Sequence, residues 1–248
     1  MNIKIVIPAR YSSSRLPGKP LLEINEKPVV WHVVRRCVEA GFLLKDIVVA
    51  TDDQRIFDVL ATLDITAVMT STEHQSGSDR IYEVASIFNW PDDTVVINVQ
   101  GDEPLIPAAL IKSIVNYAKD KPEFVITTAV TPITNIEEFT NPNVVKTILG
   151  HNGRALYFTR SASPFCRDNS VCLDLAFRHI GIYTYRVAAL REFCSHPEAP
   201  LEAYEKLEQL RALNHGIPIG ATIYLGDIPH GVDTLDDYQH VKRLMENN

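Results

Sequence analysis

Short apolar runs alternate with helical patterns through the first half of the chain. Residues 3–7 (IKIVI), 46–51 (DIVVAT), 67–70 and 94–100 (TVVINVQ) predict strands, the last of them strongly β-branched as a central strand requires. Between them, residues 28–41 place Val30, Val33, Val34, Cys37 and Val38 on one helical face, with Pro28 and Gly41 marking the ends. Residues 53–63, 79–88 and 107–119 predict further helices. Strands and helices in this alternation are the signature of parallel βαβ units, so the class is α/β. After a strand at 124–131 the pattern loosens. Residues 144–149, 155–159, 177–187 and 218–224 predict strands, while 201–213 and 234–245 predict helices. An antiparallel or mixed element grafted onto the sheet is expected there. With no repeat and no linker-like stretch, the expectation is a single domain over 1–248 with an excursion at about 133–215.

Composition narrows the function classes. A chain of 248 residues with 46% hydrophobic and 22% charged positions has the make-up of a water-soluble globular protein. Its net charge of −7 argues against nucleic-acid and anionic-membrane partners, which need basic fields. Charged or polar residues interrupt every apolar run short of a membrane span, and the N-terminus has no signal-peptide core. Cys37, Cys166, Cys172 and Cys194 have no zinc-ligand spacing, so reduced thiols in a cytoplasmic protein are expected.

Against that acidic background, residues 1–22 carry no acid at all. The first strand runs through Pro8-Ala9 into a loop with Arg10, Ser12, Ser13, Ser14, Arg15, Gly18 and Lys19. Cations, hydroxyls and a glycine at a strand exit suit a polyphosphate. A basic surface turn explains the same residues equally well, and Pro20 after Gly18-Lys19 excludes a Walker A motif.

Other stretches also admit two readings. Gln100-Gly101-Asp102-Glu103-Pro104 follows the most apolar strand, where a carboxylate can hold a metal or simply shape a βα turn. Asp233 is its candidate partner; it precedes Thr234 and Asp237, which form a capping box for the last helix. Residues 74–80 (HQSGSDR) open a helix, with Ser76 or Ser78 as cap, leaving Gly77 and Arg80 for nucleotide contact. In 178–186 (RHIGIYTYR), His179, Gly181, Tyr183 and Tyr185 share one strand face, either a wall for a polyhydroxylated ligand or a solvent-facing surface. In 201–213, Glu202 with Lys206 and Glu208 with Arg211 read as exposed helical pairs.

Taken together, these stretches resemble the 3-deoxy-manno-octulosonate cytidylyltransferases, or CMP-KDO synthetases. The matching pieces are IPARYSSSRLPGKPL at 7–21, ATDD at 50–53, HQSGSDR at 74–80, NVQGDEPLIP at 98–107, ALYFTR at 155–160, RHIGIY at 178–183, LEQLR at 207–211 and GVDT at 231–234. They come in the family's order over almost the whole chain. The resemblance implies a Rossmann-like three-layer α/β nucleotidyltransferase fold, with a mostly parallel mixed sheet and a dimerisation excursion in the second half. It implies transfer of the cytidylyl group of CTP to an eight-carbon 2-keto-3-deoxy sugar acid, in the cytoplasm, for lipopolysaccharide biosynthesis. Ala9, Arg10, Ser13, Lys19, Ser76, Gly77, Arg80 and Gln100 would hold the nucleotide, with Arg10, Lys19 and Asp102 catalytic. Asp102 and Asp233 would ligate Mg²⁺. Arg160, Arg167, His179, Tyr183, Glu208 and Gln209 would hold the sugar acid, and the chain would form a homodimer.

The sequence departs from the family pattern at Ser163, at Tyr204 and in a short 168–179 segment. These leave open an amino-substituted octulosonate or sialic-type acid as the sugar. A non-catalytic nucleotide-binding regulatory module is the alternative from another class. A glycosyltransferase is disfavoured because the strand-end motif reads GDE rather than DxD.

Overall fold

The computed structural model describes residues 1–12, 15–74, 76–168 and 172–247. Tertiary contacts divide the chain into two compact units, Met1–Lys112 with Asp227–Asn248, and Ser113–Gly226.

The first unit begins with β1 (Ile3–Ala9), the small hairpin β2 (Glu23–Ile24) and β3 (Lys27–Pro28), and α1 (Val29–Glu39). It continues through β4 (Ile47–Thr51), α2 (Gln54–Thr62), β5 (Ala67–Met69), α3 (Gly77–Ile87) and β6 (Val95–Asn98) into α4 (Ala108–Asp120), within which the chain passes from the first unit to the second. Its strands lie in the order β6-β1-β4-β5, all parallel, as the βαβ alternation predicts. Ile5 of β1 faces Ile47 on one side and Ile97 on the other. Ile5, Val6 and Ile7 are all fully buried. A parallel strand covered on both faces must be apolar at successive positions, which is why IKIVI and VVIN do not alternate. Because these strands run the same way, β1, β4 and β6 deliver their following loops to one edge of the sheet. That edge is where open α/β sheets bind ligands.

The helix starts follow from local chemistry. Asp53 caps α2, its carboxylate accepting from the Arg55 N–H at 3.0 Å. Ser76 caps α3, its hydroxyl accepting from the Asp79 N–H at 3.1 Å. Such a cap satisfies one of the amide donors that a helix start leaves free.

The second unit holds β7 (Ile126–Pro132), α5 (Ile136–Thr140), β8 (Lys146–Leu149), β9 (Ala155–Thr159) and β10 (Phe177–Arg186). They are followed by α6 (Val187–Ser195), α7 (Pro200–Glu205), α8 (Leu210–Asn214) and β11 (Ile219–Ile223). β10 runs antiparallel to β7 and β8, β8 antiparallel to β9, and β11 parallel to β7, so the expected mixed element is present. The β10–β7 register shifts between Ile180 and Tyr183.

One element differs from expectation. Residues 201–213 do not form a single helix; α7 ends at Lys206, whose φ of 53° is left-handed, and α8 starts afresh. Glu202, expected in a surface pair with Lys206, is instead buried and pairs with Arg211. Arg211 meets Glu202 through two bonds, of 2.6 and 2.9 Å, and Glu202 also accepts from the Ala199 N–H at 2.9 Å. A charge pair with this many hydrogen bonds is tolerated inside where an unpaired charge is not.

The chain then returns to the first unit with α9 (Leu235–Glu246). Thr234 and Asp237 form the expected capping box. Val232 and Val241 pack with Ile24 and Val29, and the Tyr238 hydroxyl donates to the Glu23 carbonyl at 2.5 Å. No helix among the described residues is long and apolar enough to cross a membrane.

Candidate active site

The loop after β1 is shaped by one glycine. Gly18 takes a left-handed φ of 71°, and its N–H donates to the Tyr11 carbonyl at 2.9 Å, closing the loop on itself. Lys19 starts the 3₁₀ turn Lys19–Leu21, and its side chain is held largely buried.

The turn after β6 is shaped by another. A Cβ at Gly101 would stand 2.5 Å from the Pro8 carbonyl oxygen, so only glycine lets this turn press against the end of β1. Asp102 is thereby carried to the β1 loop. The Val232 N–H donates to the Asp102 carbonyl at 2.8 Å, and this bond carries Asp233 there too. The Lys19 ammonium lies 2.5 Å from Asp102 Oδ2 and 3.3 Å from Asp233 Oδ1. Arg15 lies 3.1 Å from the same Asp233 oxygen.

These groups border a cavity of about 410 Å³, lined also by Ala9, Arg10, Ser12, Gly77 and Gln100. Arg10 is oriented by donating to the His74 carbonyl at 2.8 Å. Gly77 opens α3, an eleven-residue helix whose N-terminal amides and dipole favour an anion. A side chain at Gly77 would meet nothing within 4 Å, so the glycine here keeps the cavity wall open rather than relieving a clash. The cavity thus combines cations and a helix start on one wall with two carboxylates on another. Glu103 lies close behind: burial, then the nearby charges of Asp102 and Asp233, push its carboxyl up to about 7.

Among the residues singled out for the nucleotide, Ala9, Arg10, Lys19, Gly77 and Gln100 line this cavity, as does Asp102, while Ser76 acts as the α3 cap. Ser13 lies outside the described residues. Arg80 is fully buried and does not line the cavity; it pairs with Asp52 at 2.6 Å and donates to the Thr70 hydroxyl. Its environment lowers its pKa, chiefly through desolvation. Its visible task is to join the ends of β4 and β5. Arg15, Ser12 and Glu103 gain importance that spacing alone did not assign, although all three sit inside motifs rich in cations or acids.

The residues singled out for the sugar acid all belong to the second unit. Tyr183, Glu208 and Gln209 line one small cavity of about 40 Å³ with Tyr185 and Phe193. His179 packs on Tyr183, ring centroids 5.2 Å apart, and its Nε2 lies 2.9 Å from the Thr128 hydroxyl. Desolvation brings the His179 pKa down to about 3, so the ring is neutral. Tyr183 and Tyr185 are buried and His179 is half-buried, so this face is not the solvent-facing surface considered from the sequence. Arg160 does not line the cavity. It donates from Nε to the Glu205 carbonyl at 2.7 Å and from Nη1 to the Pro142 carbonyl at 3.0 Å, clipping the end of α7 to the loop before β8. Arg167 is exposed on the surface.

Known proteins match this sequence and fold over nearly the full chain. A family described as "Cytidylyltransferase" matches residues 4–219. The "3-deoxy-manno-octulosonate cytidylyltransferase 2" of Paraburkholderia phytofirmans is 43% identical over 247 residues, covering 98% of this chain and 94% of the relative. The 3-deoxy-manno-octulosonate cytidylyltransferase of Hahella chejuensis is 44% identical over 248 residues, covering 97% and 96%. A solved CMP:2-keto-3-deoxy-manno-octonic acid synthetase complexed with CTP superposes with a TM-score of 0.90 at 37% identity, covering 100% of this chain and 99% of that one. Identity above 40% along essentially the whole length, on the same α/β nucleotidyltransferase fold, shows that this chain belongs to the 3-deoxy-manno-octulosonate cytidylyltransferase family.

Proposed function

We propose that the chain activates 3-deoxy-D-manno-octulosonate with CTP, giving CMP-KDO and pyrophosphate for lipopolysaccharide assembly, with the triphosphate lying in the cavity of the first unit. The observation that carries the reading is the convergence of Lys19, Asp102 and Asp233 beside Arg10 and Gly77. In the reaction the anomeric hydroxyl oxygen of the sugar forms a bond to the α-phosphorus, and its proton passes to solvent. The bond from that phosphorus to the bridging oxygen breaks, and pyrophosphate leaves with the electron pair. Reaction at phosphorus asks for placement and charge neutralisation rather than a protein nucleophile. Arg10 and Lys19 meet the charge that grows on the leaving pyrophosphate, and the α3 start adds its amides. Tyr183, Glu208 and Gln209, with the neutral ring of His179 packed on Tyr183, offer hydrogen bonds to the hydroxyls of the sugar acid.

Asp102 and Asp233 suit a Mg²⁺ ion in type and number. They are two hard carboxylates already converging on one cationic point, and Mg²⁺ takes one or two carboxylates with substrate phosphates and water. When bound, the ion would neutralise phosphate charge and help hold the triphosphate in line. We also propose a homodimer in the cytoplasm. Consistent with a dimer, Phe165, Leu175 and Tyr204 of the second unit are 79%, 69% and 88% exposed, apolar and aromatic surface that a second copy would cover. Light scattering on the purified chain checks the assembly.

The decisive assay is pyrophosphate release from CTP, KDO and Mg²⁺. Turnover with KDO above that with amino-substituted or sialic-type acids is expected. CTP binding without turnover of any of them would instead make the chain a regulatory module.

A further inference from the structure

The position of the Lys19 ammonium bears on how a metal reaches the site. It stands 2.5 Å from Asp102 Oδ2 and 3.3 Å from Asp233 Oδ1, and Lys19 is only 8% exposed. Its backbone is fixed by the turn that follows left-handed Gly18, with the Lys19 N–H donating to the Leu16 carbonyl at 3.3 Å. A Mg²⁺ ion held by the same two carboxylates needs its oxygens at about 2.0–2.1 Å. The ammonium fills the space that such an ion would take, so the two cations exclude one another. Arg15 adds a second positive charge on the same Asp233 oxygen. Both carboxylates are therefore already matched by protein cations.

We infer that Lys19 is a stand-in cation. It keeps the Asp102–Asp233 pair closed to free divalent ions and releases it when the nucleotide's phosphates give the ammonium another partner. Metal and CTP then enter as one unit, and neither binds well alone. Lysine suits this role because it is a compact charge on a flexible stem with three donors, able to change partner by rotation of that stem. A bidentate arginine would be harder to dislodge. Linkage requires reciprocity: whatever factor CTP adds to metal affinity, metal adds to CTP affinity. The inference rests on Asp102 and Asp233 being the metal pair.

The experiment titrates Mn²⁺ into the full chain without nucleotide and follows free Mn²⁺ by electron paramagnetic resonance, with circular dichroism as the folding check. Wild type should hold Mn²⁺ weakly. Lys19→Met should bind it about tenfold or more tightly, because the competing charge is gone. Lys19→Arg should remain weak, and Asp102→Asn introduced into Lys19→Met should erase the gain. If Lys19→Met does not fold, Lys19→Gln is read in the same way. Should wild type and Lys19→Met bind equally, with Asp102→Asn weakening both, the stand-in role is overturned while the metal pair survives. If Asp102→Asn changes Mn²⁺ binding in no form, with or without CTP, the metal pair falls and the stand-in role with it.

Discussion

Gly101 shows how one missing side chain can place a reactive group. Because its Cβ would stand 2.5 Å from a backbone oxygen, Gly101→Ala must push the 100–102 turn away from β1 and move Asp102 with it. Misplacement of that order is expected to lower kcat/KM for pyrophosphate release by about tenfold to a hundredfold. The carboxylates themselves should matter more. If the pair holds the proposed Mg²⁺, Asp102→Asn and Asp233→Asn should each reduce turnover by about a thousandfold with the fold intact, because a neutral amide offsets none of that ion's charge. Activity near wild type in either, measured beside an unchanged circular dichroism spectrum, removes that residue from the site. At this scale the sequence was informative about types and ends of elements: Lys19, Asp102 and Asp233 are each at a turn, and the fold brings them within ion-pair distance. It could not show that Arg80 turns inward. A cation in a polar turn looks the same whether it meets ligand or an internal acid such as Asp52.

The helical pair α7 and α8 shows where periodicity misleads. Leu201, Tyr204, Leu207 and Leu210 recur as on one helix, yet Tyr204 is 88% exposed while Leu207 and Leu210 are buried. The break at Lys206 is set by long-range contacts: Arg160 binds the Glu205 carbonyl, and Glu202 turns to Arg211 nine residues away. Local spacing carries no sign of either. Glu202→Gln is accordingly expected to destabilise the protein by about 3 kcal/mol, since it removes the carboxylate charge that two buried Arg211 bonds reach. Glu202→Leu combined with Arg211→Met should recover much of that loss. Chemical denaturation of the three variants tests this, and an unaltered midpoint for Glu202→Gln would show that the pair adds nothing to stability. Parallel strands were far more legible, because a strand covered on both faces announces itself by an unbroken apolar run. The opposite error arose at β10, which reads through to 187 although α6 begins there without a Gly or Pro to mark the change.

For the whole molecule, burial of His179 couples stability to acid. Its pKa is 6.5 ordinarily and about 3 in the fold, so the unfolded chain takes up this proton first. The stabilisation is complete above the unfolded value and is lost as pH falls from about 6.5 toward 3, by at most about 1.4 kcal/mol per pH unit. Denaturation between pH 4 and 7 should therefore show a steeper acid decline for wild type than for His179→Gln. Equal slopes would mean that the ring titrates normally. The parallel arrangement of the first unit and the mixed pairing of the second were both foreseeable from the spacing of apolar runs. The return of the chain after Gly226 to complete the first unit was not, because nothing local distinguishes α9 from a helix that stays beside its sequence neighbours.

That return has a consequence for biosynthesis. Lys19 and Asp102 emerge from the ribosome long before Asp233, and α9, which packs on the β2–β3 hairpin, comes later still. Until residues 232–241 are free, the nascent chain holds one carboxylate of the pair and an apolar seam at Ile24 and Val29 without its cover. Domains otherwise fold from the N-terminus as they are made. Here the early β2–β3 hairpin must wait for a helix made more than two hundred residues later, so the Lys19–Asp102–Asp233 cluster closes only after that stretch of chain is out.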